Sequence, residues 1–209
     1  MANLVTEGLL NNPNLEAYTI YYTTSDNQKL ELNPESFDAT ILSHTYNTKG
    51  VILFDKPITK IGYTAFEYCR SLTSITIPIS VTQIGTNAFA HCWSLTNIII
   101  PYRVTEIADG AFDGCSSITS ITIPNGVTKI AHRAFAQCWS LRDIVIPYSV
   151  TEIADRAFEY CSRLTSITIP NSVTQIGRNA FKSCGDLISI VIPNGVTEIA
   201  DGALRVAHL

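Results

Sequence analysis

The chain has 209 residues, of which 46% are hydrophobic and 15% are charged, and its formal net charge is −4. This composition argues against intrinsic disorder, and without a basic run we expect neither nucleic acid nor an anionic membrane surface as a partner. No apolar stretch approaches the roughly 20 residues of a membrane-spanning helix, so we expect no membrane insertion.

Residues 1–48 are predicted to form an N-terminal cap rich in hairpins. Residues 1–16 lack the cationic start and apolar block of a secretion signal, so the sequence as written predicts no export. Polar turn residues between β-prone runs predict the local structure of the remainder. The predicted elements are a hairpin of residues 18–24 and 29–32, a short helical turn at 33–37, and a second hairpin of residues 40–46 and 51–54.

Residues 49–209 are predicted to form a repeat array. One unit, PxxVTxIxxxAFxxCxxLxxIxI, recurs at a constant spacing with small departures, and a fixed spacing of this kind is typical of a solenoid. Counting back by one unit from Ile75 and Ile77 reaches Ile52 and Phe54, so the register is expected to begin by Val51. The copies begin at Pro78, Pro101, Pro124, Pro147, Pro170 and Pro193.

Each unit predicts three short elements. The LxxIxI run alternates with the period of a strand, and stacked copies should form a parallel sheet on one wall. The VTxI run predicts a second short strand on the opposite wall. The AFxxC run is too short for a stable helix and predicts a single helical turn whose phenylalanine fills the core.

The shared AFxxCxxLxxIxIP run resembles the BspA-like, or Treponema-type, leucine-rich repeats of bacterial surface proteins. The resemblance covers about three quarters of the chain. It implies a right-handed leucine-rich repeat superhelix behind a hairpin cap, and it implies host or bacterial surface proteins as partners.

Three locations are possible for the protein. The resemblance implies the bacterial surface or the extracellular space if an export signal has been removed. Otherwise the protein is cytoplasmic, or it belongs to a particle such as a bacteriophage virion.

The six cysteines occupy one column of the repeat, from Cys69 to Cys184, and are expected to be buried, reduced and structural. Parallel coils about 4.7 to 4.9 Å apart keep neighbouring Cβ atoms farther apart than a disulfide prefers. Zinc needs converging ligands, usually from closely spaced pairs, and each copy of the repeat supplies at most one cysteine.

The sequence contains no recognisable catalytic or cofactor-binding motif, so we expect no enzyme activity and no cofactor. Recurring carboxylates alternate with Lys129 and with glutamines, which favours solvated faces over a metal site. The four histidines show no clustering and are expected at the surface. The recurring carboxylates are Glu106, Glu152, Glu198, Asp109, Asp155 and Asp201.

The candidate binding residues lie in variable columns beside or on the predicted sheet. Large amphipathic rings dominate binding hot spots, so they are suited to gripping a partner. The alternative is that each ring covers the core edge by lying over a smaller residue of the next coil. The candidates are Trp93, Tyr102, Trp139, Tyr148, Asn97 and Asp143.

The last copy departs from the pattern and predicts self-association. Its phenylalanine is replaced by Leu204 and its cysteine by Ala207, and no further strand follows in this sequence. The open core end is covered either by residues 205–209 folding over it or by docking of a second copy or larger partner. The apolar candidates for that contact are Leu204, Val206 and Leu209.

These patterns favour a non-catalytic module that presents a repeat surface to a protein partner. The alternative is a structural subunit of a larger assembly, such as a virion or an appendage, whose partners are other copies or a scaffold.

Overall fold

The structure is a computed structural model that describes residues 13–205. Its backbone winds through stacked coils, one repeat to each coil, and every coil crosses two walls of short strands. Two 3-10 turns, Leu15–Tyr18 and Pro34–Ser36, accompany the N-terminal strands. The strands are β1 (Thr19–Thr24), β2 (Ile41–Tyr46), β3 (Gly50–Phe54), β4 (Lys60–Ile61), β5 (Leu72–Thr76), β6 (Gln83–Ile84), β7 (Asn97–Ile99), β8 (Glu106–Ile107), β9 (Ser120–Thr122), β10 (Lys129–Ile130), β11 (Asp143–Val145), β12 (Glu152–Ile153), β13 (Gln175–Ile176) and β14 (Glu198–Ile199).

The two predicted parallel walls are confirmed. On the first wall β5 pairs with β7 and β9 pairs with β11, each in parallel, and single bridges continue the wall from Val145 to Thr168 and Val191. On the second wall the VTxI strands form two parallel sheets, β4-β6-β8 and β10-β12-β13-β14. Partners along both walls are 23 residues apart, so equivalent side chains of successive copies lie side by side.

The first predicted hairpin is wrong. Residues 27–33 form no strand, and β1 instead lies between β3 and β5, antiparallel to both. This position completes backbone pairing along the edge of β5, which would otherwise be open to other chains. It also separates β3 from β5, so the strands predicted to stack directly have a reversed strand between them.

The other local predictions for the N-terminal segment are confirmed. β2 and β3 form an antiparallel hairpin, in which Tyr46 lies opposite Gly50. Asn33 accepts a hydrogen bond from the backbone N–H of Glu35 and starts the turn at Pro34–Ser36. Phe37 then packs edge-on against Phe66, with ring centroids 5.9 Å apart, and begins the aromatic core.

Six phenylalanines form a continuous stack along the core. Each is at most 1% exposed, and neighbouring rings lie 5.2–5.7 Å apart and within 7° of parallel. These separations lie within the range in which aromatic rings attract one another. The stack consists of Phe66, Phe89, Phe112, Phe135, Phe158 and Phe181.

The predicted helical turn around each phenylalanine is wrong in its backbone. Residues two before and two after the phenylalanine have positive φ, as Asn87 (54°) and His91 (59°) do around Phe89. The segment therefore forms consecutive turns. Phe89 and His91 donate their N–H groups to carbonyls of the next coil, at 2.8 and 2.7 Å, which a helix would direct along its own axis.

The cysteines are buried and free, as predicted. From Cys92 onward each thiol lies 3.1–3.3 Å from the carbonyl oxygen of the phenylalanine in the preceding coil, to which it donates a hydrogen bond. Burial raises the pKa of Cys69 and of Cys184 to about 12. The thiol column therefore links successive coils and stays in the unreactive protonated form.

Candidate binding surface

The two tryptophans occupy one column on the outside of the solenoid. Each follows a buried cysteine, and the exposed fractions of Trp93 and Trp139 are 45% and 53%. The turn that precedes each cysteine directs the cysteine inward and the next side chain outward. Ser116 stands between the tryptophans in the intervening coil, so the two indoles belong to coils two steps apart.

Each segment that begins at one of these tryptophans ends near an exposed tyrosine, Tyr102 after Trp93 and Tyr148 after Trp139. The two tyrosines are 71% and 82% exposed. Between the aromatic ends, the outward positions of β7 are Asn97 and Ile99. The first ridge is defined here as Trp93, Asn97, Ile99 and Tyr102, and the second ridge as Trp139, Asp143, Val145 and Tyr148.

A line of smaller side chains separates the two ridges. It consists of Ser116, Ser120, Thr122 and Asn125, and β9 pairs with β11 so that Ser120 lies beside Asp143 and Thr122 beside Val145. All six sequence candidates for binding are exposed and belong to the two ridges. Their role in binding stays a prediction, but their exposure leaves apolar rings available to a partner.

The tryptophans are the walls of a cleft of about 410 Å³. Its other lining residues are His91, Gly114, Ser116 and Gln137. A Cβ atom at Gly114 would lie 2.6 Å from Nδ1 of His91, so the missing side chain makes room for the imidazole. The repeat pattern alone did not single out His91, Gly114 or Gln137. The available signal was the small residues Gly114 and Ser116 between two copies that contain tryptophan.

The wall of the cleft formed by Trp93 is supported by residues of the preceding coil. The Arg70 guanidinium lies 4.3 Å from the Trp93 ring centroid, and the Tyr68 ring stacks on His91 with a centroid distance of 4.8 Å. A cation over an indole is attracted by the ring electrons. These contacts support Trp93 and His91 from the preceding coil, while the next coil on their other side has only Gly114 and Ser116.

Charged groups behind the cleft are paired. Asp113 is 8% exposed, and its carboxylate accepts hydrogen bonds from Arg133 at 2.8 and 2.9 Å and from Gln137 at 3.4 Å. The Gln137 amide is thereby oriented from below. The lining of the cleft itself carries no formal charge with histidine neutral.

The recurring carboxylates form no cluster. Glu152 pairs with Lys129 at 2.8 Å, and Asp109 and Asp155 accept backbone N–H groups of the next coil at 3.0 and 2.7 Å. No group of three possible metal ligands occurs among residues 13–205. His44 corrects the expectation of surface histidines, since it is half-buried and its Nε2 lies 2.6 Å from the Tyr22 hydroxyl.

The predicted self-association residues are only partly described. Leu204 is half-buried against the core, whereas Val206 and Leu209 lie outside the described residues. In the last described coil, Ile199 is 48% exposed, while its counterparts Ile153 and Ile176 are at most 1% exposed.

Comparison with known proteins identifies the repeat. The family model for the BspA type leucine rich repeat region matches in six copies, over residues 35–165 and 82–208. The chain belongs to this family. The BspA-type match also covers the segment from residue 35 to residue 48, which includes the last two residues of the Pro34–Ser36 turn and all of β2.

Solved structures of bacterial leucine-rich repeat proteins resemble this BspA-type chain. A leucine-rich repeat protein of Bacteroides ovatus is 35% identical over 76% of this chain, with a TM-score of 0.67. The Treponema pallidum leucine-rich repeat protein is 33% identical over 72% of both chains, also with a TM-score of 0.67. A leucine-rich cell surface protein of Faecalibacterium prausnitzii is 32% identical over 81% of this chain, with a TM-score of 0.55.

The match spans only 40% of the Bacteroides ovatus chain and 54% of the Faecalibacterium prausnitzii chain. No curated protein matches the sequence. Among residues 13–205, no helix has the length and apolar character needed to cross a membrane. These comparisons establish a bacterial BspA-type repeat and a solenoid suited in general to protein interaction.

Proposed function

We propose that this BspA-type module binds a protein partner through the two ridges and catalyses no reaction. The observation that carries the proposal is the exposure of four large aromatic rings in two equivalent coils, with branched apolar residues between them. Solenoids commonly bind partners over extended repeat surfaces, and aromatic residues supply much of the energy at such interfaces.

Contacts within the solenoid support the ridges, and this also makes them suited to binding. Trp93 is stacked under Arg70, and the outward residues of β7 and β11 are held by parallel pairing. Rigid aromatic contacts lose little conformational entropy when a partner binds. The strands hold the ridges in place before contact, which reduces the free-energy cost of binding.

We propose a bacterial cell surface as the location, with host matrix or cell-surface proteins as the partner class. The Faecalibacterium prausnitzii relative is described as a cell surface protein, which supports this location. Adhesion to such a partner is the finer role that follows from it.

The test compares binding to a panel of matrix and cell-surface proteins. The Trp93→Ala/Trp139→Ala variant should lose at least tenfold in affinity for any partner of the native protein, with a nearly unchanged melting temperature. Tyr63→Ala is the matched control, since Tyr63 is 64% exposed but lies outside both ridges. A lower melting temperature with intact binding would support the packing interpretation of the rings instead.

A second candidate function is that of a structural subunit which associates through the coil that contains Ile199. The observation that favours it is the exposure of Ile199 (48%), whose counterparts Ile153 and Ile176 are at most 1% exposed. Light scattering over a wide concentration range should then show assemblies that Leu204→Asp and Val206→Asp disrupt. A monomer at every concentration, unchanged by either substitution, would contradict this candidate.

A further inference from the structure

The Trp139 indole separates two hollows along one column of the solenoid. The first hollow is the cleft between Trp93 and Trp139, whose floor is Gly114 and Ser116. On the other side of Trp139 the column continues with two small residues, Ser162 and Gly185, and the space over them is called the second hollow here. Tyr160, 43% exposed, flanks this hollow at the position that Gly114 has in the first. A Cβ atom at Gly185 would meet only the carbonyl oxygen of Ser162, at 3.8 Å, so the surface there is open.

The column is closed at its N-terminal end. Arg70 precedes Trp93 by one coil, and its guanidinium covers the face of Trp93 that points away from the first hollow. A chain that crosses both hollows therefore passes from Arg70 over Trp139 towards Gly185, parallel to the solenoid axis.

The hollows are two coils apart. Backbone hydrogen bonds join neighbouring coils beside this column, from Gly114 N–H to Ala136 at 2.8 Å and from Gln137 N–H to Glu159 at 2.7 Å. Chains hydrogen-bonded in this way lie about 4.7 to 4.9 Å apart, so equivalent positions in the two hollows are separated by about 10 Å.

This spacing discriminates between peptide conformations. A polyproline II chain rises about 3.1 Å per residue with three residues per turn, so it repeats a side chain on one edge every 9.3 Å or so. An extended strand repeats after about 6.6 Å, and a helix presents neighbours about 5 to 6 Å apart on one face. An extended strand or a helix would place a side chain against the protruding Trp139 ring. A polyproline II chain has no side chain on the facing edge between the two hollows, so it passes over the ring.

The polar groups of the column complement the same chain. A polyproline II backbone has unpaired carbonyl groups, and neither indole N–H donates a hydrogen bond to another residue in the range 13–205. The lining of the first hollow is uncharged, which suits proline. Arg70 is exposed and forms no ion pair with another described residue, so the end of the column beside it has an unpaired positive charge.

We propose that this column binds a proline-rich, acidic segment of the partner protein in the polyproline II conformation. Two prolines three residues apart occupy the two hollows, one on each face of Trp139. Arg70 is two coils from Ser116, and two coils correspond to three residues of a polyproline II chain. An acidic residue three positions from the first proline therefore lies beside Arg70. This assignment rests on the proposed protein-binding role and specifies the chemistry of the segment that is recognised.

The test is a titration with synthetic peptides, followed through the indole N–H signals in NMR spectra. The chain has only two tryptophans, so the two signals report the two walls directly. A peptide with an acidic residue and two prolines at intervals of three should shift both signals. Peptides with the prolines two or four residues apart should bind at least tenfold more weakly.

Protein variants test each contact separately. Trp139→Ala should weaken peptide binding at least tenfold because both hollows lose a wall. Gly185→Tyr fills the second hollow and should reduce the affinity to that of a peptide with a single proline. Arg70→Glu should reverse the preference for an acidic over a basic flanking residue. Tyr63→Ala, at an exposed position outside both ridges, should bind the peptide within twofold of the native protein.

Equal binding of all proline spacings, or no shift of either indole signal at millimolar peptide, would overturn the assignment. Indole shifts caused by a neutral oligosaccharide but by none of the peptides would overturn it in favour of a glycan site. Melting temperatures of the variants separate lost contacts from lost folding. If the peptides fail while the Trp93→Ala/Trp139→Ala variant still loses its protein partner, the proposed function stands and only the ligand chemistry is wrong.

Discussion

Replacing Phe135 by alanine removes the centre of the aromatic core. Phe135 is 1% exposed, and its ring stacks on Phe112 at 5.5 Å and on Phe158 at 5.7 Å. Truncating a buried phenylalanine costs about 3 to 5 kcal/mol, from lost burial and the cavity left behind. Because neighbouring coils are held at a fixed spacing by backbone hydrogen bonds, the cavity has little freedom to collapse, and we expect the upper half of that range.

Urea unfolding measures this loss. With a dependence of about 2 kcal/mol per molar urea, a loss of about 4 kcal/mol lowers the unfolding midpoint by about 2 M. Hydrogen exchange should show the largest loss of protection in the coils of Phe112 and Phe158, since each coil of a solenoid contacts mainly its neighbours.

The matched control is Trp139→Ala, which removes a large ring four residues later from an exposed position. Its cost should be about 0.5 kcal/mol or less, as is usual for surface substitutions. If Phe135→Ala lowers the free energy of unfolding by no more than this control does, the reasoning that the stacked rings stabilise the core is refuted.

Three further predictions concern the thiols, the N-terminal strands and pH. A thiol reagent should modify almost none of the six cysteines in the folded protein and all six after unfolding, because burial raises their pKa; rapid modification of the native protein would contradict this. Gly50→Ala should lower the free energy of unfolding by about 1 to 3 kcal/mol, because a Cβ atom there would lie 1.9 Å from Cζ of Tyr22. Thermal denaturation measures this loss, and the control Gly185→Ala should be near neutral. Burial lowers the pKa of His44 below 6.5, so its contribution to stability is complete above pH 6.5 and is lost as the pH falls through the folded-state pKa. Urea midpoints at several pH values should show this loss in the native protein and a smaller one in His44→Gln, and equal pH profiles would count against it.

The N-terminal strands show where prediction from local sequence fails. The polar residues 25–28 form a good turn, yet β1 pairs with β3 and β5. Pairing with β5 joins segments that are far apart in the sequence, and its advantage is the covering of an exposed strand edge, which local turn preferences do not contain. The second hairpin was predictable because its turn and both strands are adjacent in the sequence.

The positions that sequence reasoning missed in the cleft have the same explanation. His91, Gly114 and Gln137 belong to one column, but only the backbone turns with positive φ direct that column towards the tryptophans. A pattern of residue types identifies which positions are equivalent. The same pattern does not show which columns face each other across a turn.

The sequence by itself determined the repeat length, the register of the coils and the burial of the phenylalanine and cysteine columns. These follow from the strict period of the repeat, because identical units stacked in register must place the same residue type inside at each step. Only the tertiary structure decided the strand order at the N-terminal end, the hydrogen bond from each cysteine thiol to the preceding phenylalanine carbonyl, and the cleft between Trp93 and Trp139. Each of these depends on contacts between coils, and their geometry is set by backbone turns and edge pairing that no single repeat contains.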